Sequence, residues 1–297
     1  MTTNTQETQH IPELFDTSVQ QTHRGKLLEL LRYRFLLQSL VIRDLKIRYR
    51  NSILGILWSI LNPLLMMLVY TVLFTILIPN EGIKNYPIFI LVALIPWQFL
   101  ANSVIAGTVS ITDNAPLIKK VYFPRLLLPG SLLFSNLVNF LLAFVVLVVL
   151  LYVFGIGLTR HAIWVPALLF TQMVFTLGIM LILSTAQTFY RDTLMVVQVG
   201  LLAWFFLTPI FYPFERFSDY AQMAGVTFNP ARLMRWLNPM ASIIDGYRTV
   251  LWGNMGSNGP APMDPLALLR TFITSAIVLL IGYLTFIRFE YLFGEKL

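Results

Sequence analysis

One short stretch is dense in charged side chains, and their spacing suits electrostatic binding rather than bond-making chemistry. Residues 43–50 carry five of them among apolar neighbours: Arg43, Asp44, Lys46, Arg48 and Arg50. Lys and Arg heads favour an anionic membrane surface while apolar neighbours bury beneath them. The chain then has no charge until Glu81. The stretch therefore predicts a helix at the cytoplasmic membrane surface, joined to a spanning segment to which a cytoplasmic partner can transmit force.

The other candidates for chemistry are four carboxylates near the C-terminal third of the chain: Glu215, Asp219, Asp245 and Asp264. Two of them could in principle form an acid–base pair. Motifs for nucleotide, zinc or acyl chemistry are missing, since the sequence has no Walker A pattern, dinucleotide fingerprint, H-E-x-x-H or G-x-S-x-G. It also has no cysteine and only 3 histidines, which are scattered. We therefore expect no catalytic residue, metal site or cofactor in this chain.

Composition restricts the class of protein. The 297 residues are 57% hydrophobic and 12% charged, whereas soluble proteins carry about 25% charged residues. Because the charge deficit lies in long apolar runs, the sequence predicts an all-α polytopic membrane protein. The net charge of +7 sits beside apolar segments, where membrane topology explains it better than binding to nucleic acid.

The apolar runs are long enough for membrane spans, since a spanning helix needs about 20 residues. Six such segments are predicted, at about 53–78, 86–107, 126–155, 162–187, 194–213 and 266–287. The third is long enough to tilt or break near Pro129 and Gly130. A seventh patch, Met240–Trp252, is too short to span and predicts a re-entrant or interfacial helix.

The predicted organisation has three parts. Polar residues 1–23 are expected to form a mobile tail, residues 24–52 an amphipathic interface helix, and residues 53–297 the transmembrane domain. Lys and Arg prefer the cytoplasmic side, and fourteen of the 21 basic residues lie in the N-terminal region, the second and fourth connections and the C-terminal tail. Both termini are therefore predicted to be cytoplasmic.

Inside the predicted spans the polar side chains are almost all neutral: Asn62, Gln98, Asn102, Asn136, Asn139, Gln172 and Gln198. Hydrogen bonds between helices are the expected use for most of them. The absence of buried acids and histidines argues against proton-coupled transport. Aromatic residues have two possible uses, an interfacial belt or a glycan pathway in which rings stack on sugars. The candidates for such a pathway are Trp58, Tyr70, Phe74, Trp204, Phe205, Phe206 and Tyr212.

Four stretches carry a family resemblance. The junction from Arg43 to Pro63 resembles the opening of ABC-2-type permeases that export polysaccharides such as lipopolysaccharide O-antigen, teichoic acid or capsule. Residues 114–124 and 190–192 look like the second and fourth connections of that family. Residues 237–248 are similar to its signature N-P-x-x-x-x-[IV]-[DE]-x-[FYW]-R before the last span. The resemblance covers about residues 30–297.

The resemblance implies a homodimeric six-span permease in the bacterial cytoplasmic (inner) membrane, paired with two copies of a separate ATPase that binds ATP and Mg. The interface helix and a short coupling helix near 112–120 would dock on that ATPase. The ATPase-coupling residues would include those of the basic stretch together with Asn114, Pro116, Lys119 and Lys120. The outer gate would include Asn238, Pro239, Asp245, Tyr247 and Arg248. The substrate would be a glycan on a polyprenyl pyrophosphate lipid, moved through a channel between protomers.

Two alternatives remain open from the sequence. An ABC-2 permease for a drug or a non-glycan lipid would use the aromatic residues only as a membrane belt. A polytopic enzyme acting on lipid-linked sugars would use the four carboxylates as its acid and base.

Overall fold

The computed structural model describes residues 33–50, 52–77, 83–217, 221–223, 226–254, 257 and 259–297. The predicted mobile tail, residues 1–23, and residues 24–32 of the predicted interface helix lie outside this part. The described chain is mostly helical. Its helices are α1 Arg34–Tyr49, α2 Trp58–Val72, α3 Tyr86–Thr108, α4 Ala115–Lys120, α5 Leu127–Val153, α6 Val165–Phe189, α7 Thr193–Leu207, α8 Pro230–Leu237, α9 Pro239–Leu251, α10 Pro265–Glu290 and α11 Phe293–Lys296.

Four helical segments in the described residues are long and apolar enough to cross a membrane: α3, α5, α6 with the 3₁₀ turn before it, and α10. They coincide with the predicted second, third, fourth and sixth spans. The third span does not break near Pro129 and Gly130, because α5 begins only at Leu127. Pro129 therefore lies in the first helical turn, where its missing N–H leaves no hydrogen bond unmade.

The predicted first and fifth spans are shorter as regular α-helices. In the first, the 15 residues of α2 continue into a π-helical turn, Leu73–Leu77. In the fifth, α7 has 15 residues and stops at Leu207, six residues before the predicted end. Thr208 is extended because it precedes Pro209, and the ring of a proline disfavours helical backbone in the residue before it.

The connection between α7 and α10 holds the two helices α8 and α9 and a small antiparallel hairpin, Ala221–Met223 paired with Val226–Phe228. The hairpin is the one departure from all-helical structure among the described residues. Asn and Pro start α9, because the side chain of Asn238 accepts a hydrogen bond from the N–H of Ala241 at 3.2 Å and Pro239 follows it. The predicted patch Met240–Trp252 is thus a helix packed on the transmembrane core.

The main apolar core surrounds α3. Every residue from Ile88 to Ile95 is at most 2% exposed, because α2, α5, α6, α7 and α9 all pack on this helix. A second cluster lies at the other end of the molecule and joins α1, α4, α5, α6, α10 and α11. Its buried members are Leu40, Ile111, Ile118, Phe123, Leu127, Leu128, Leu181, Phe286 and Phe293.

Helices α6 and α10 approach backbone to backbone through two glycines. A Cβ placed on Gly282 would lie 2.3 Å from the carbonyl oxygen of Gly178, and one on Gly178 would lie 2.6 Å from the backbone nitrogen of Leu279. Small residues at such a crossing allow close van der Waals packing where lipid supplies no hydrophobic driving force.

Candidate functional site

The two predicted ATPase-coupling elements, α1 and the loop before α4, are bonded to each other. Nη2 of Arg43 donates to Oδ1 of Asn114 at 3.0 Å and also pairs with Asp44 at 3.0 Å. On the other side, the hydroxyl of Ser131 in α5 donates to Asp44 at 3.3 Å. These hydrogen bonds of Arg43, Asp44 and Asn114 thus join α1 to the start of α4 and to α5.

The outward side of α1 carries Lys46 and Arg50 of the basic stretch. An open groove of about 700 Å³ lies along it, lined by Ser39, Ile42, Arg43, Lys46, Ile47, Tyr49 and Arg50. Ile42 and Ile47 are exposed by 51% and 64%, and Lys46 and Arg50 are exposed beside them. In α4, the predicted coupling helix, Pro116, Lys119 and Lys120 are exposed as well, while Ile118 anchors α4 in the second cluster.

The last turn of α1 covers a polar cavity of about 260 Å³ between α2, α3 and α5. Its lining is Arg48, Tyr49, Trp58, Ser59, Asn62, Ile95, Gln98, Phe99, Asn102, Asn136, Asn139, Phe140 and Ala143. Five of the seven neutral amides predicted inside the spans therefore meet at one place. Arg48, predicted as a coupling residue, donates from Nη1 to Oδ1 of Asn136 at 2.8 Å.

Of the two remaining amides, Gln172 makes a bond between helices, from Nε2 to the carbonyl oxygen of Pro96 in α3 at 2.7 Å. Gln198 is exposed on α7. The convergence of the other five was missed from sequence. The available signal was a pair of polar residues one turn apart in each of three apolar segments: Ser59 and Asn62, Gln98 and Asn102, and Asn136 and Asn139.

Six of the seven predicted pathway aromatics belong to a second region, near the C-terminal ends of α2 and α7. Tyr70 of α2 and Phe74 of the π-helical turn after it contact Phe211, with ring centroids 4.8 Å and 5.0 Å apart, and Phe205 contacts Phe211 at 5.2 Å. Phe205 is 8% exposed and therefore packed in the core, whereas Phe206 is 58% exposed. Trp204 and Tyr212 are half-buried. Trp58 is separate and lines the polar cavity.

The predicted outer-gate residues gather where α7 ends against α9. The indole N–H of Trp204 donates to Oδ1 of Asn238 at 3.0 Å, and Nδ2 of Asn238 donates to the hydroxyl of Thr208 at 3.0 Å. Asn238 therefore caps α9 and holds the end of α7 at the same time. Tyr247 is fully buried beside Phe140, with ring centroids 6.4 Å apart.

Arg248 fastens the segment that follows α7. Its guanidinium donates to the carbonyl oxygens of Pro209, Ile210 and Tyr212 and lies 3.7 Å from the ring centroid of Phe89. The side chain is buried, and burial lowers the pKa of Arg248 to about 9, which leaves it charged at neutral pH. We call Arg248 with residues 209–212 the arginine clasp.

The carboxylates proposed as an acid–base pair have other partners or are apart. Asp245 pairs with Arg235 at 3.2 Å; burial raises the pKa of Asp245, and Arg235 acts in the opposite direction. Asp264 caps α10 by accepting from the N–H of Leu266 at 3.0 Å. Glu215 is exposed, and Asp219 lies outside the described residues. No group of three His, Asp or Glu residues able to hold a metal occurs in the described part.

Four long apolar helices among the described residues, with a basic helix beside them, define a multi-pass helical membrane protein. Comparison with known proteins assigns the family. A profile described as ABC-2 type transporter matches residues 36–252. The chain is 40% identical over 224 residues to an O-antigen export system permease protein RfbA of Myxococcus xanthus. The matched region covers 75% of this chain and 83% of that protein.

A second relative is similar over more of the chain. The O-antigen export system permease protein RfbA of Klebsiella pneumoniae is 33% identical over 263 residues, or 88% of this chain and 95% of that protein. The chain therefore belongs to the ABC-2 type transporter family and is a transport subunit.

Proposed function

We propose that this chain is the permease subunit of an ATP-driven exporter that moves a lipid-linked polysaccharide of the O-antigen class across the bacterial inner membrane. The observation that carries the proposal is the similarity to two O-antigen export permeases, which extends over up to 88% of the chain. ATP and Mg would be bound by a separate ATPase subunit, two copies of which would dock on the groove of α1 and on α4. Teichoic acid and capsule polymers are the other lipid-linked polymers that the proposal includes.

The finer architecture in this proposal has six spans, a homodimer and both termini in the cytoplasm. In favour of the dimer, the rest of the described chain covers α7 on one face only. This helix buries only Val197, Leu201 and Phe205 against the rest of the chain. A second protomer packed on α7 and α2 would cover the exposed faces and enclose a channel.

Reversing two charges on the α1 groove tests coupling to the ATPase. The double change Lys46→Glu and Arg50→Glu is expected to abolish co-purification with the ATPase subunit and to reduce polysaccharide export at least about tenfold. The new carboxylates would repel the acidic groups of the ATPase that the two basic side chains attract. Arg43 stays unchanged, because its bond to Asn114 is internal.

The matched control is Arg232→Glu, an equal charge change at an exposed residue of α8, on the proposed outer face. It should leave co-purification intact. Wild-type export by the double variant would remove the α1 groove from the mechanism.

The exposed ring of Phe206 separates glycan export from transport of another cargo. Phe206→Leu is expected to slow export by about three- to tenfold if sugars stack on this ring, using the magnitude of aromatic contacts, with no change in thermal stability. The control is Phe170→Leu, which removes a ring that is also 58% exposed but lies on α6. Equal export by both variants and wild type would favour a permease for a non-glycan lipid or drug.

A further inference from the structure

We propose that the polar cavity beneath Arg48 is the binding site for the phosphate-linked sugar at the lipid end of the exported molecule. The inference rests on the proposed function, which supplies the class of substrate, and it locates the group that is recognised first. The evidence is the arrangement of hydrogen-bond donors in the cavity, the chemistry of its lining and the exposure of the lining amides on α2 and α3.

The two amides of α5 in this cavity have their acceptor oxygens occupied. Oδ1 of Asn139 accepts from the hydroxyls of Tyr49 and Ser59, while its Nδ2 is buried with no partner in the described part of the chain. Oδ1 of Asn136 is occupied by Arg48, and its Nδ2 donates to the carbonyl of Leu132 at 3.0 Å. Nδ2 of Asn139 is therefore a buried donor for which a ligand oxygen would be the acceptor.

Arg48 has donors to spare. A guanidinium carries five N–H groups, and one hydrogen bond of Arg48 is formed, to Asn136. No Asp or Glu lines the cavity, and no carboxylate pairs with Arg48 among the described residues. An arginine held by a neutral amide and lacking a counter-ion is suited to a phosphoryl oxygen, which the planar fork can bind with two parallel hydrogen bonds.

The remaining lining suits a sugar. Asn62, Gln98 and Asn102 face the cavity and make no side-chain hydrogen bond within the described residues. Amides donate to and accept from hydroxyls, and Trp58 and Phe99 supply aromatic faces next to them. An apolar drug would leave these amides unpaired, and a metal cation would meet an arginine instead of carboxylates.

Three residues of the lining that lie on α2 and α3, Trp58, Asn62 and Asn102, are exposed. Exposed amides on apolar helices are unfavourable against hydrocarbon, so that this part of the lining suits contact with a polar headgroup whose lipid chain stays outside. Tyr49 and Arg48 belong to the same helix as the α1 groove. A bound headgroup would therefore contact the element that receives force from the ATPase.

The test measures binding to the full-length permease in phosphatidylcholine nanodiscs. The probe is glucosyl-diphospho-farnesol, compared with farnesyl diphosphate, which lacks the sugar, and with phosphatidylglycerol, which lacks both the diphosphate and the ring. Arg48→Gln is expected to weaken binding of both diphosphates at least about tenfold, because a hydrogen bond to a charged group is lost. Arg50→Gln removes the same charge two residues further along the chain, on the α1 groove, and should not weaken binding of either diphosphate.

Asn102→Ala gives a second readout, since the exposed side chain of Asn102 makes no hydrogen bond to the described residues and its loss should not unfold the protein. It is expected to weaken the glucosyl probe several-fold and to leave farnesyl diphosphate unchanged. Phosphatidylglycerol that binds as tightly as the glucosyl probe, or equal affinities in wild type and Arg48→Gln, would overturn the proposal. A complex that still exports polysaccharide in that case would leave the proposed function standing, whereas a wild-type complex without export would remove the function itself.

Discussion

Replacing Gly282 by alanine is expected to destabilise the permease by about 1–3 kcal/mol, the usual cost of overpacking a close contact. The new methyl group would lie 2.3 Å from the carbonyl oxygen of Gly178, and backbone cannot rotate away as a side chain can. Helices α6 and α10 would have to move apart. These two helices contribute residues to both the main core and the second cluster, so their separation would disturb both. Gly282→Leu should yield no folded protein. The measurement is the thermal unfolding midpoint in detergent, with the yield of monodisperse protein.

The matched control for this prediction is Gly200→Ala in α7, where an added Cβ meets nothing within 4 Å. It should leave the midpoint unchanged or raise it slightly, because alanine is the better helix former. Gly178→Ala should behave like Gly282→Ala, since its Cβ would meet the backbone of α10 at 2.6 Å. Unfolding midpoints equal to wild type in both variants would mean that this crossing is wider than described.

Replacing Arg248 by methionine is expected to open the arginine clasp and to stop export. The change preserves most of the side-chain volume but leaves the buried carbonyl oxygens of Pro209, Ile210 and Tyr212 without their donor, at about 1–3 kcal/mol for each. Arg248→Lys should rescue only in part, because one ammonium group cannot replace a planar fork that reaches three acceptors. Arg232→Met, which removes an exposed arginine from α8, should leave stability and export intact.

The clasp can be followed directly because the chain has no cysteine. A single Ile210→Cys change places a thiol at a position that is 0% exposed, and its reaction with a maleimide reports opening of residues 209–212. The reaction should be slow with Arg248 present and at least about tenfold faster with methionine, which corresponds to a loss of about 1.4 kcal/mol of protection. Equal rates together with normal export would show that the clasp does not hold this segment.

Much of the helical pattern could be predicted because it depends on short-range features. Runs of apolar residues set four of the spans within a few residues, and the pairs Asn238–Pro239 and Asp264–Pro265 begin α9 and α10 by capping and by proline at the first turn. The fifth span is predicted to run to about residue 213, whereas regular helix in α7 ends at Leu207, before Thr208 and Pro209. Apolar character continues past that proline, and hydropathy alone does not register the break.

Residue types and their local spacing determine three features: the class of multi-pass membrane protein, the absence of nucleotide motifs and the position of the basic stretch. The sequence carries these features by itself. The tertiary structure decided which polar groups meet. Arg43 donates a hydrogen bond to Asn114, which lies 71 positions away in the chain. Arg248 donates to backbone carbonyl oxygens that lie 36–39 positions away. An amide in an apolar helix looks the same in sequence whether it bonds a neighbouring helix or faces a cavity. Only the packing angles and rotations of α1, α2, α3 and α5 distinguish the two, and the local periodicity of one helix does not fix its rotation against another.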